Sequence, residues 1–342
     1  MKRKLLALTA ILLTLTVTFG GCENIMLIPG KSSGAIADDS SSSQNSKPLS
    51  AYPVTLNNTE ITKAPEKIVS LTPAYTEILF EMGYGKKITA VSDYCDYPEI
   101  VKELPKAASS ANPDIAAIKK LKPDLVITAT PIVTKDKISL EAQGIKVLVI
   151  PSPRNIEEFE NVYKFFGLAM NGQFDGEAAG EKAFTPIKKQ LDAIKRTDKK
   201  FIYVTAANTP AGGDTFESAV LSLFGTNIAE SSSGYSYKAA DLADNQPDII
   251  FVSDTIGEDT LTANENYSDL KAVKDGKITV LKNKYFERPS GRITELIGTA
   301  AKAFGVDLSD KTKTENSSAP ATESENSSNT QNSSKEDSKA TE

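Results

Sequence analysis

The chain has 342 residues, a formal charge of −6, no histidine, no tryptophan and two cysteines. Without histidine there is no Ser-His-Asp triad, no Cys-His pair, no HExxH zinc site and no imidazole base near neutral pH; two cysteines make neither a thiolate zinc site nor a disulfide framework. The pI near 5.1 argues against a nucleic-acid partner, and a hydrophobic content of 39% is low enough to indicate polar tails around an ordinary core.

The N-terminus reads Met1-Lys2-Arg3-Lys4, then an apolar, threonine-rich run to Phe19, then Gly20-Gly21-Cys22. A charged n-region, a short h-region and small residues before a cysteine predict a bacterial lipoprotein signal over 1–21, with cleavage before Cys22 and lipid on its thiol. The apolar run is short for a membrane span. Cleavage removes three positive charges, taking −6 to −9, and leaves Cys95 as the free thiol. Residues 22–53 have the Ser-rich composition of a linker. The stretch 308–342 carries no large apolar residue after Leu308 and is expected to be a disordered polar tail.

Between these ends strands and helices alternate. Strands are predicted at 68–71, 88–92, 125–128 and 147–150, with helices at 74–82, 115–121 (Asp114 as N-cap) and 138–143. Asn155 caps a helix over 156–170 that stops at Asn171-Gly172, and a long helical stretch follows to Arg196, with Pro186 expected to kink or interrupt it. The alternation then restarts: strands at 201–204, 249–252 and 278–281, and helices at 216–224, 239–245 and 293–304. Leu121-Lys122-Pro123-Asp124-Leu125-Val126-Ile127 and Asn245-Gln246-Pro247-Asp248-Ile249-Ile250-Phe251 are the same kind of unit, 124 residues apart. The fold class is therefore α/β: two Rossmann-like lobes with parallel sheets, residues 54–172 and 198–307, joined by one long bridging helix, 173–197. A cleft between two lobes is a common ligand site.

Tyr94 and Tyr97 follow a strand, where ligand-binding loops emerge in α/β sheets. Tyr75 starts a helix at the mouth of the first strand, and Tyr235 and Tyr237 lie in a Ser/Gly-rich loop of the second lobe. Aromatic faces bind flat macrocycles through apolar area and stacking. Arg288 and Arg292 are suited to ligand carboxylates or phosphates, or to salt bridges with Glu287 or Glu295. Ala211-Gly212-Gly213-Asp214-Thr215 is either an anion cradle or a plain turn. Cys95 reads as an apolar filler rather than a metal ligand.

Four strings in order, Ile68 to Glu77, Val91 to Pro98, Leu121 to Ile127 and Phe286 to Ile293, resemble the helical-backbone substrate-binding proteins of ABC importers for vitamin B12, haem and iron–siderophores, most of all the cobalamin binders. The resemblance covers residues 65–304. It implies a class III periplasmic-binding-protein-like fold, no catalysis, no cofactor of its own, and a metal-chelate ligand (cobalamin or another corrinoid, a ferric siderophore or haem). It also implies a monomer on the outer face of the cell membrane, held by lipid on Cys22, that delivers to an ABC permease and its ATPase. The candidate ligand residues are Tyr75, Tyr94, Tyr97, Tyr235, Tyr237, Phe286, Arg288 and Arg292; of these the resemblance carries over two, Tyr94 matching a tyrosine packed on the corrin face and Arg288 an arginine at the site mouth. Tryptophans of the cobalamin binders fall on Ser110 and Ala129, and their permease-docking glutamates on Ala116 and Ala240, with Asp114 and Asp241 nearby. Those two alanines raise a rival, a scavenger not coupled to a standard permease. An exported carboxylate-based hydrolase is the remaining rival, and no paired carboxylates stand out for it.

Overall fold

The computed structural model describes residues 50–309. The leader, Cys22, most of the linker and the polar tail lie outside the described residues. Two four-stranded parallel sheets carry the fold. The first contains β3 (Ile68–Ser70), β4 (Ile88–Val91), β5 (Leu125–Thr128) and β6 (Lys146–Val149) in the order β4-β3-β5-β6. The second contains β7 (Lys200–Val204), β8 (Thr226–Asn227), β9 (Ile249–Ser253) and β10 (Ile278–Leu281) in the order β10-β9-β7-β8. In each lobe the first strand lies between the second and the third, so both have one doubly wound topology. All of β5 and β9 is buried, as expected of strands covered by helices on both faces.

The repeated Pro-Asp has one physical job in both lobes. Asp124 Oδ2 accepts from the backbone N–H groups of Glu66 and Lys67 at 2.8 and 2.9 Å. Asp248 Oδ2 accepts from Lys200 N at 2.8 Å. Each aspartate thus pins the start of its lobe's first strand to the start of the third. Burial works against the Asp124 carboxylate, but the two N–H groups and Lys63 outweigh it and hold the acid below its ordinary range.

Helices α1 (Pro73–Glu81), α2 (Ile115–Leu121) and α3 (Thr134–Glu141) cover the first sheet. Helices α5 (Phe216–Leu221), α6 (Gly257–Ala263), α7 (Lys271–Lys274), α8 (Lys284–Glu287) and α9 (Ile293–Phe304) belong to the second lobe. Asp114 and Asn155 are N-caps as predicted, accepting from Ala117 N and Glu158 N. Helix α3 starts earlier than predicted, α5 is shorter, and residues 239–243 form a 3-10 turn rather than an α-helix.

Between the lobes lies α4 (Ile156–Asp192), a helical run broken at Gly172, where φ is 78° and ψ −172°. It folds back on itself there. The rings of Phe159 and Phe184 are 5.3 Å apart, whereas 25 residues of straight helix would separate them by about 37 Å. The arms meet at glycine: a Cβ on Gly167 would lie 1.9 Å from Gly176 O, and one on Gly180 2.5 Å from Tyr163 O. Lys164 reaches across to Glu177 and Glu181. The second arm, 173–192, is the long bridging helix; it runs through Pro186, contrary to the predicted interruption. A proline inside a helix costs about 3 kcal/mol, and burial of Phe184 and Ile187 on either side of it offsets that. One continuous apolar core includes Tyr75 and Ile78 of α1, Phe159, Phe166 and Phe184 of α4, Phe216 of α5, and Ile297 and Phe304 of α9. It spans both lobes.

The sequence reading passed over an antiparallel hairpin, β1 (Val54–Leu56) with β2 (Thr59–Ile61). Asn57 and Asn58 form its turn, both at positive φ, as a tight two-residue hairpin loop requires. Thr59 Oγ1 and Asn57 Nδ2 donate to the carbonyls of Val147 and Val149, so the hairpin covers the edge strand β6.

Candidate functional site

In a doubly wound sheet, loops at the carboxyl ends of the strands surround the ligand crevice. The carboxyl ends of the two sheets approach each other across a seam. On the first lobe the β4 loop runs from Ser92 to Pro98. Ser92 Oγ accepts from Tyr94 N at 3.2 Å, and Tyr94 is left 66% exposed. Cys95 turns inward, 3.3 Å from Thr76 Oγ1, and burial pushes its thiol up.

On the second lobe the loop between β7 and α5 is held by a backbone pairing. Gly212 N donates to Gly234 O at 2.7 Å and Gly213 N to Ser232 O at 3.0 Å. A Cβ on Gly213 would sit 2.0 Å from Glu230 O, so this close approach requires glycine. Both N–H groups are engaged, which favours the plain-turn reading of Ala211 to Thr215 over an anion cradle. Asp214 then accepts from Ser233 Oγ and Gly234 N, fixing the loop that carries Tyr235. Tyr235 is 49% exposed, and its hydroxyl donates to Glu217 Oε1 at 3.1 Å. Burial, then Glu217, Glu287 and Asp214, push its phenol up to about 12.

The seam holds a buried polar cluster. Arg292, at the start of α9, donates through Nε to Glu77 Oε2 of α1 at 2.9 Å, and through Nη2 to Glu77 Oε1. Glu77 is 1% exposed and also accepts from Ser290 Oγ at 2.6 Å. The guanidinium carbon lies 4.4 Å from the ring centre of Tyr97 on one lobe and 5.3 Å from that of Tyr285 on the other. One turn along α1, Glu81 accepts from Gly291 N and from Tyr163 Oη at 2.7 Å; burial raises the acid above its ordinary range. Arg288 Nη1 meets Asp96 Oδ1 at 2.6 Å across the lobes.

Several residues predicted to face a ligand therefore have other duties. Tyr75 is 1% exposed, edge-on to Phe166, with its hydroxyl donated to Ile150 O: it is core, because the start of α1 turns inward over the sheet. Phe286 is buried against Tyr203. Arg292 is a lobe-to-lobe tie, and neither arginine pairs with Glu287 or Glu295; those carboxylates take Asn283 Nδ2 and Tyr285 Oη instead. Tyr237 packs half-buried on the outer core of the second lobe. The carboxylate of Asp114 is engaged as the α2 cap, and Asp241 sits exposed in the 3-10 turn. Tyr94 and Tyr235 stay exposed at the strand ends of opposite lobes, and Tyr97 and Arg288 line the seam between them. Glu77, Asp96, Glu217 and Tyr285 escaped the sequence reading. The one local signal was a pair of acids, Glu77 and Glu81, on the otherwise apolar α1.

No group among the described residues is arranged to hold a metal ion. A recess of about 550 Å³ lies where the second lobe's strands begin, among Asp248, Lys271, Asp275 and Lys277. It is on the wrong edge of the sheet for the crevice; there Lys271 pairs with Asp275, and Asp248 accepts from Lys200 N. Among the described residues no helix is long and apolar enough to cross a membrane.

A family model described as periplasmic binding protein matches residues 68–285, more than half of the chain. The chain is similar to YvrC of Bacillus subtilis, an uncharacterized ABC transporter substrate-binding lipoprotein, at 26% identity over 89% of this chain and 98% of that one. It is similar to the vitamin B12-binding protein of Vibrio campbellii at 26% identity over 74% and 95% of the two chains. Among solved structures it shares its fold with the periplasmic heme-binding protein HutB of Vibrio cholerae, with a TM-score of 0.59 and 21% identity over 70% and 97%. Two parallel-sheet lobes on a long bridging helix, with exposed tyrosines at the strand ends of both lobes, agree with the family match: this chain belongs to the periplasmic binding proteins, a non-catalytic substrate-binding family.

Proposed function

We propose that this protein is the substrate-binding lipoprotein of an ABC importer. It captures a corrinoid, or a metal chelate of similar size, between its lobes and presents it to a membrane permease and its ATPase. The observation that carries this reading is the pair of exposed tyrosines, Tyr94 at 66% and Tyr235 at 49%, at the strand ends of opposite lobes. A flat chelate offers each ring apolar area and stacking. The vitamin B12-binding relatives support a corrinoid, and the lipobox at Cys22, with the lipoprotein YvrC, supports an exported, lipid-anchored monomer on the outer face of the membrane. Titration with cobalamin, cobinamide, haem and ferric siderophores tests the reading: at least one binds at micromolar concentration or below, and Tyr94→Ala and Tyr235→Ala each weaken it about tenfold. Absence of binding to all of them overturns it.

A second reading rests on Ala116 and Ala240. Both are exposed and offer no carboxylate where the cobalamin binders resemble one another in carrying glutamate. In that case the protein is a scavenger without a standard permease. Stimulation of the permease-coupled ATPase by the loaded protein excludes the scavenger.

A further inference from the structure

Arginines and carboxylates at the cleft are not in the same condition. Each arginine there already holds a carboxylate: Arg292 has Glu77, Arg288 has Asp96 and Arg154 has Glu158. Four carboxylates at the cleft edge of the second lobe have only neutral hydrogen-bond partners among the described residues. Asp214 takes Ser233 Oγ and Gly234 N, Glu217 takes the Tyr235 hydroxyl, Asp254 takes Asn283 N, and Glu287 takes Asn283 Nδ2. A neutral donor leaves the negative charge in place. All four acids follow the carboxyl ends of β7, β9 and β10, the edge that carries the exposed Tyr235. Arg154 of the other lobe lies within the field of Asp214 but is exposed and tied to Glu158.

Resting on the reading of the cleft as a chelate site, we propose that the second lobe selects chelates of zero or positive net charge over anionic ones, and that Glu217, which anchors the exposed Tyr235 ring, is the residue that sets this selection. A ligand stacked on Tyr235 lies beside the carboxylate that accepts the tyrosine's own hydroxyl. It also displaces water there, which strengthens the interaction between charges. One charge at about 7 Å, at an effective dielectric constant of about 40, changes affinity about tenfold. Carboxylates on the ligand would meet this repulsion with no unpaired arginine to answer it; an ammonium or a row of amides would not.

The test uses the full chain and two pairs of probes matched in shape. One pair is cobinamide against cobyrinic acid, the same corrin carrying amides or carboxylates. The other is ferrioxamine B against its N-succinyl derivative, in which the free ammonium becomes an acid. In whichever pair binds, the amide or cationic member is tighter by about tenfold or more, and added salt narrows the gap. Glu217→Gln, which keeps an acceptor for the Tyr235 hydroxyl, narrows the gap about threefold or more. Equal or tighter binding of the anionic member overturns the proposal. So does an unchanged gap in a Glu217→Gln variant that melts like the parent. Failure of these four probes together with cobalamin and haem overturns the chelate-site reading itself, a result distinct from binding without charge preference.

Discussion

The two lobes repeat one strand order, 2-1-3-4 in each lobe's own count, and pin their first strands with the same Pro-Asp, yet they finish differently. The first lobe has four well-formed strands, and the hairpin β1-β2 covers its edge. The second has a two-residue edge strand, β8, followed by an irregular stretch from 228 to 248 that bears Tyr235. The first lobe contributes acids to the seam, buried Glu77 with Glu81 on α1, and Asp96 beside Tyr97 on the β4 loop. The second lobe brings the donors Arg288, Ser290, Gly291 and Arg292 to the seam, and its own carboxylates lie on the loops at its cleft edge. Shared topology fixes where loops emerge; it does not fix what they carry. Loops at that edge can vary because the sheet beneath them supplies the rigidity.

The largest expected effect breaks the junction between the lobes. Arg292→Ala leaves Glu77 buried without its cation and should cost about 3–5 kcal/mol, read from urea unfolding; a loss below about 1 kcal/mol would show that the seam is not what holds the lobes. Next comes the second lobe's own frame. Buried Asn227 donates to Ala211 O and Ser218 Oγ and accepts from Ala229 N, with no counterpart in the first lobe. Asn227→Ala should cost about 2 kcal/mol and raise the hydrogen exchange of residues 205–238 above that of the first lobe. The reverse asymmetry is tested at the hairpin: Asn58→Ala removes the short polar side chain that lets asparagine tolerate a φ of 63° and should cost about 1 kcal/mol, and Asn58→Gly should be close to neutral.

The smallest effect separates the twin aspartates. Asp124 accepts two backbone N–H groups and Asp248 one, so Asp124→Asn should lower stability by about 0.5–1 kcal/mol and Asp248→Asn by less. Asp124 also has a pH signature. Its acid is held below the ordinary 3.8, so its contribution is complete above that value and disappears as pH falls through the lowered one. Thermal melts between pH 6 and about pH 2.5 should therefore drop more steeply for the parent than for Asp124→Asn. Parallel curves would mean that the aspartate shapes the turn without contributing its charge.

Much of the fold was legible in the chain itself, because its signals are local. Apolar runs such as Leu125 to Thr128 and Ile249 to Val252 read as buried strands from composition alone. Asp114 and Asn155 announced helix starts, and Asn171-Gly172 announced the break that turns α4 back. The hairpin was legible as well, in the alternation of Val54 to Ile61 about Asn57-Asn58, but three-residue strands give a weak period. Pro186 was misleading because a local cost was outweighed by packing of Phe184 and Ile187, which no window of sequence contains.

The site divides in the same way. That Tyr94, Tyr97, Tyr235 and Arg288 lie at strand ends follows from the order of elements, and so does a cleft between two lobes. That Tyr75 and Phe286 are core, that Arg292 ties α9 to α1, and that the cleft's arginines hold carboxylates while the acids at the second lobe's cleft edge hold only neutral donors, was decided by tertiary structure alone. Arg292 and Glu77 are 215 residues apart in the chain. A helix or strand is specified by neighbours a few residues away, so the chain declares it. The state of a charge depends on which partner the fold brings within about 3 Å, and only the folded molecule determines that.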